Sequence, residues 1–98
     1  MEGRSLTAIG IALFLQRRFD EAAAKLVVSL EGLPSFTTTY RFLASCYAHM
    51  RRLDEARAIV TRLKAITPVI VPSEIPYRNP EHRELFLSGL RLAAGEIP

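Results

Sequence analysis

One cysteine and two histidines are all that this 98-residue chain offers of those residue types. Cys46, alone, can form no internal disulfide, redox pair or cysteine metal cluster, and it reads as a small, buried, apolar-behaving residue. His49 and His82 stand 33 positions apart with no third ligand near either; this is not metal spacing, and both are expected at the surface. No apolar run reaches the roughly eighteen residues of a membrane span, and the first dozen residues lack a basic start followed by a cleavable apolar stretch. A cytoplasmic setting is the default expectation. A strong excess of charge is missing too. Thirteen basic residues interleave with ten acidic ones for a formal charge of +3, which demands no nucleic-acid partner. No glycine-rich phosphate loop accompanies the hydroxyl cluster Ser35, Thr37, Thr38 and Thr39, so that cluster is assigned to a turn and to capping of the helix behind it. No cofactor is expected.

What the chain has is a folded composition, 49% apolar with 23% charged, and a phrase written twice. Arg17-Arg18-Phe19-Asp20-Glu21-Ala22 returns thirty-four residues later as Arg51-Arg52-Leu53-Asp54-Glu55-Ala56, and Pro34 returns as Pro68. A period of that length accommodates two helices of three to four turns with their connections, so the chain is read as stacked helical hairpins in one domain, 1–98. The pattern predicts helices over about Arg4–Gln16, Asp20–Glu31, Thr37 or Thr38–His49, and Asp54–Ile66. Each second helix carries one apolar stripe: Ala22, Leu26 and Leu30, then Ala56, Ile59, Val60 and Leu63. The first helix is apolar nearly all round, from Leu6 to Leu15, and needs cover on more than one side, from upstream residues, another subunit or a ligand.

Beyond Thr67, proline falls at every fourth position (Pro68, Pro72, Pro76, Pro80), which no regular helix survives. This Pro-rich arm, 67–80, carries enough apolar residues to lie against the helices. Asn79-Pro80-Glu81 then spells a helix start, and a capping helix over 80–94 is expected to stop at Gly95 and to close the stack.

Aligned on the repeated phrase, the chain resembles the tetratricopeptide repeat family. Repeat one, 3–36, places Leu6, Ile9, Gly10, Leu13, Ala22, Leu26, Ser29 and Pro34 at the family positions. Repeat two, 37–70, places Tyr40, Leu43, Ala44, Tyr47, Ala56, Val60, Leu63 and Pro68 there. Gly10 and Ala44, facing Ala22 and Ala56, are small where the helices of each hairpin would cross closely, and Leu6 and Tyr40 are large beside the crossing. Arg17 and Arg51 depart from the family's turn glycine, and Ser29 and Leu63 from its small alanine. The resemblance implies an all-α solenoid of two helix-turn-helix repeats, with the arm and capping helix appended. The stretch Tyr77–Arg91 is similar to the ending of bacterial class III adenylate/guanylate cyclase proteins that carry such repeats. That similarity implies a C-terminal fragment, with any cyclase chemistry in an upstream domain.

Asp20-Glu21 and Asp54-Glu55 sit at first turns of helices, where the dipole favours negative charge, and need no catalytic explanation. Arg17, Arg18, Arg51 and Arg52 recur in register as a basic edge that would meet phosphates or an acidic protein surface, or would simply be solvated turn residues. The resemblance places Thr7, Ile11 and Phe14 of the first repeat and Arg41, Ser45, Ala48 and His49 of the second on a concave groove. Such a groove suits an extended or helical protein segment with apolar anchors and an acidic group near Arg41. The alternative is that Ile11 and Phe14 contact an upstream repeat or the arm. The family's lysine and asparagine clamp for C-terminal carboxylates is not present. The expected function is a non-catalytic protein–protein scaffold in a signalling protein, with self-association through the first helix a related expectation and nucleic-acid binding a weaker one.

Overall fold

A computed structural model describes residues 2–71 and 79–95, with side chains in the first helix described from Leu6 onward. Among the described residues the secondary structure is entirely helical: α1 (Glu2–Leu15), α2 (Phe19–Gly32), α3 (Thr37–His49), α4 (Leu53–Lys64) and α5 (Pro80–Ala93). Residues 16–18 join α1 to α2 and residues 50–52 join α3 to α4. Three residues reach only about 10 Å, so each joined pair, which packs along its length, must run antiparallel.

The two connections are the same structure. In the first, Arg17 N–H donates to Phe14 O (2.9 Å) and Arg18 N–H to Leu13 O (2.9 Å); in the second, Arg51 donates to Ala48 O (3.1 Å) and Arg52 to Tyr47 O (2.9 Å). Both are Schellman closures, which need a left-handed residue at the position after the cap. Arg17 and Arg51 supply it, with φ of 63° and 64°. The next helix begins at once. Its first-turn acids Asp20, Glu21, Asp54 and Glu55 lie at the positive end of the dipole, and Glu21 and Glu55 pair with Arg18 and Arg52 three residues before them.

The close crossing anticipated at Gly10 is present. A Cβ built there would stand 2.7 Å from the Leu26 side chain and 3.5 Å from Ala22 O, so α1 and α2 approach as only glycine permits. Ala22, Ala44 and Ala56 are wholly buried. Three hydroxyls in the core tie three helices together, Thr7 of α1 bonding to Ser29 of α2 and, at 2.9 Å, to Thr39 of α3. α2 therefore has a wider buried side than one stripe, with Ala23 and Ser29 joining Ala22, Leu26 and Leu30.

Other expectations change. The residue preceding α3 is Phe36, with no side-chain cap; Thr37 instead accepts from Arg41 (3.3 Å) and Thr39 enters the core, so the hydroxyl cluster does not cap this helix. α4 ends at Lys64 rather than Ile66. α5 begins as its sequence indicates, Asn79 Oδ1 accepting from Glu81 N (2.8 Å) and His82 N (3.4 Å) with Pro80 in the first turn, and Gly95 is left-handed at φ 81°. It packs along α3 and only marginally against α4. The arm is described only through Val71; Pro72, Pro76 and Tyr77 lie outside the described residues.

The left-handed arginines are a reserve of stability. A side chain in this region costs about 1–2 kcal/mol, and glycine returns part of that as unfolded-state entropy. Arg17→Gly and Arg51→Gly are each expected to raise stability by about 0.5–1 kcal/mol in urea unfolding, whereas β-branched Arg17→Val lowers it.

Candidate functional site

The groove residues come from two helices whose partners decide what remains accessible. Thr7 and Phe14 face inward from α1: Thr7 is in the hydroxyl cluster, and Phe14, with no exposed surface, meets Phe19 (5.6 Å), Phe42 (5.4 Å) and His49 (6.0 Å) in an aromatic cluster. Ile11 is half-buried against the same core.

On α3 the groove face is filled by α5. Gly89 sits over Ser45; a Cβ there would come within 2.7 Å of Ser45 O and 2.8 Å of His49 Cδ2. Ser45 Oγ donates to Phe86 O (2.9 Å), and His49 Nε2 donates to Leu85 O (2.6 Å), an assignment fixed because a carbonyl only accepts. Phe86 stacks on Phe42 at 4.4 Å and Phe19 stacks on His49 at 5.2 Å. Ser45 and Ala48 have no exposed surface left. His49 is thus a half-buried linking residue rather than a surface one, and His82 is also half-buried.

Arg41, read as the cation awaiting an acidic ligand, is spoken for. Its Nε donates to Ile70 O (3.1 Å) and its Nη2 to Val69 O (2.7 Å), pinning the start of the arm beside α3. Partial burial lowers its pKa, and the bonds to carbonyls replace lost water. The α3 positions Arg41, Ser45 and His49 are therefore the seat of α5 and the arm, while Thr7 and Phe14 of α1 are packed into the core.

Between the first turn and the start of α5 lies a cleft of about 410 Å³ lined by Arg17, His49, Pro80, Glu81, Glu84, Leu85 and Ser88. Its charges are of mixed sign. His49 and Ser88 direct their donors to one acceptor, the Leu85 carbonyl, so neither is aligned to activate the other. Among the described residues no set of His, Cys, Asp or Glu is grouped to hold a metal ion. No described helix is long and apolar enough to cross a membrane.

The basic edge is partly neutralised. Arg17 and Arg51 are exposed, but Arg18 pairs with Glu21, and Arg52 holds Glu55 by two bonds (2.6 and 2.5 Å) while lying 4.9 Å over the Tyr47 ring. Cys46 is buried between α3 and α2, its thiol donating to Phe19 O (3.1 Å). Burial pushes its pKa up to about 12.

Sequence reasoning missed the seat of α5. The signal was Gly89 in mid-helix, opposite the small residues Ser45 and Ala48. The chain matches no protein-family model, no curated protein and no solved structure.

Two outcomes test this geometry. Gly89→Leu forces α5 away from α3; overpacking of this kind costs about 1–3 kcal/mol, and amide exchange should accelerate in α5 before the other helices. The Cys46 thiol is protonated in the fold up to about pH 12 but ionises near 9.0 when unfolded. Its contribution is complete below pH 9 and is lost as pH rises towards 12, so Cys46→Ala should flatten the fall in stability across that window.

Proposed function

We propose that this chain is a tetratricopeptide-type scaffold, two helix-turn-helix repeats with an arm and a terminal helix, that makes protein–protein contacts and has no chemistry of its own. It serves as the C-terminal region of a multidomain, adenylate cyclase-like bacterial signalling protein. The observation that carries the repeat reading is the pair of Schellman turns at Arg17 and Arg51, thirty-four positions apart, with the same hydrogen bonds, left-handed residue and arginine–glutamate pair in each. The cyclase connection is supported by the sequence similarity over Tyr77–Arg91 alone.

A second reading, a free-standing adaptor that associates with itself, is favoured by one observation. α1 exposes Ala8, Ala12 and Ile9, the last 47% accessible. The pairing of Arg18 and Arg52 with glutamates weighs against binding of nucleic acid along the arginines.

The deciding experiment is the size of the native polypeptide, by immunoblot and mass spectrometry of the band. A long product with upstream cyclase-domain peptides is the expected result. A product near 11 kDa overturns the signalling-tail reading and favours the adaptor.

A further inference from the structure

The outer face of α1 has a counterpart inside the molecule whose cover is visible. Thirty-four positions on from Ala8, Ile9 and Ala12 stand Phe42, Leu43 and Cys46 of α3. All three counterparts are buried, with exposures of 3%, 0% and 0%. At Cys46 the covering helix is α2, the thiol donating to Phe19 O, whereas Phe42 meets Phe14 of α1 and Phe86 of α5. The equivalent side of α1 faces solvent.

Charge narrows what could cover it. From Leu6 to Gln16, α1 carries no charged side chain, so a helix laid there with charges on its inner side would lose their hydration without gaining a partner. The α2 stripe on the α3 side, Phe19, Ala23, Val27 and Leu30, is uncharged. Its counterpart on α4 is Leu53, Arg57, Thr61 and Lys64, the last three exposed. A second copy therefore cannot extend the array by setting α4 on α1, because two cations would be buried on an apolar face.

We propose that the Ile9–Ala12 face of α1 is a docking surface for an amphipathic partner helix with an uncharged stripe of the α2 type: a large apolar residue, then small or apolar ones four, eight and eleven positions on. The partner lies across α1 as α2 lies across α3. The small side chain of Ala12 admits its backbone closely, and Ile9 is the anchor. The inference deepens the scaffold reading and rests on its repeat equivalence, but not on any link to a cyclase.

The probe is a fluorescent peptide of residues 18–33 with Ala22, Leu26 and Ser29 replaced by Gln, Glu and Lys, which removes the stripe that α2 uses towards α1. Its anisotropy is titrated with the whole protein. Saturable binding is expected, weakened at least about tenfold by Ile9→Lys and independently by Ala12→Glu, with amide shifts confined to the outer face of α1. A matched peptide carrying the α4 stripe, Ala23→Arg, Val27→Thr and Leu30→Lys, should not bind. Both protein variants alter exposed sites, and unchanged thermal unfolding verifies their folding. Absence of binding to the wild-type protein overturns the proposal, as do shifts centred on α3, which would report exchange with α2. Dimerisation in sedimentation that Ile9→Lys abolishes also overturns it, since a second copy is then the occupant. Native polypeptide size tests the signalling-tail reading separately, so either idea can fail alone.

Discussion

Everything in this molecule depends on α3 being covered on three sides. α2, α4 and α5 all pack against it, and eight of its thirteen residues are buried, from Thr39 through Ala48. A helix so enclosed needs a small or apolar residue in almost every direction, or a polar one with its partner supplied. The chain meets both requirements: Ala44 and Ala48 are small, Thr39 and Ser45 have hydroxyl or carbonyl partners, and Cys46 donates to Phe19 O. Among the described residues no buried side-chain polar atom lacks a partner. Full satisfaction matters here because an unpaired group at this depth costs about 1–3 kcal/mol.

The turns show a different balance. Arginine in a left-handed conformation is strained, yet both copies of the turn keep it. The neighbouring arginine pairs with a glutamate at the start of the next helix, which adds little in water. Nothing in the fold requires a side chain at Arg17 or Arg51, since both point into solvent. Two exposed cations held at equivalent places, against the local conformational preference, fit solubility or a surface contact better than they fit stability.

How far the sequence was legible follows from how local each determinant is. The helix limits near Arg17 and Arg51, the start of α5 at Asn79-Pro80, and the crossing at Gly10 are written in adjacent residues or one short period, and they were readable. The destination of α5 was not, because an apolar stripe says that a helix must be buried without saying on what. Two apolar residues of α5, Phe86 and Leu90, would serve on α4 or α3 alike. The decision came from the acceptors: α4 presents Arg57, Thr61 and Lys64, whereas α3 presents Ser45, Ala48 and Phe42. Arg41 misled for a related reason. A lone arginine on a helix face reads as a free charge, and its partners, the carbonyls of Val69 and Ile70, are backbone atoms that no side-chain pattern reveals.

The same comparison explains why the two ends of the helical array differ. α2 is apolar on two sides and is covered by α1 and α3; α4 is apolar towards α3 and mostly polar beyond, and it exposes no large apolar side chain. α1 has no such finish, with alanines and an isoleucine where α4 has arginine, threonine and lysine. With α5 seated on α3, the residues expected to line a groove are committed to holding the molecule together. Removing α5 to admit a ligand would expose Phe86 and Leu90 and break the Phe42–Phe86 stack. Uncovering two large buried side chains costs about 1.5–3 kcal/mol apiece. A competing ligand would have to exceed that before binding, whereas a helix arriving at α1 displaces only water. Association at α1 is the less costly route by several kcal/mol, which favours the proposed docking of a partner helix there over any ligand that must displace α5.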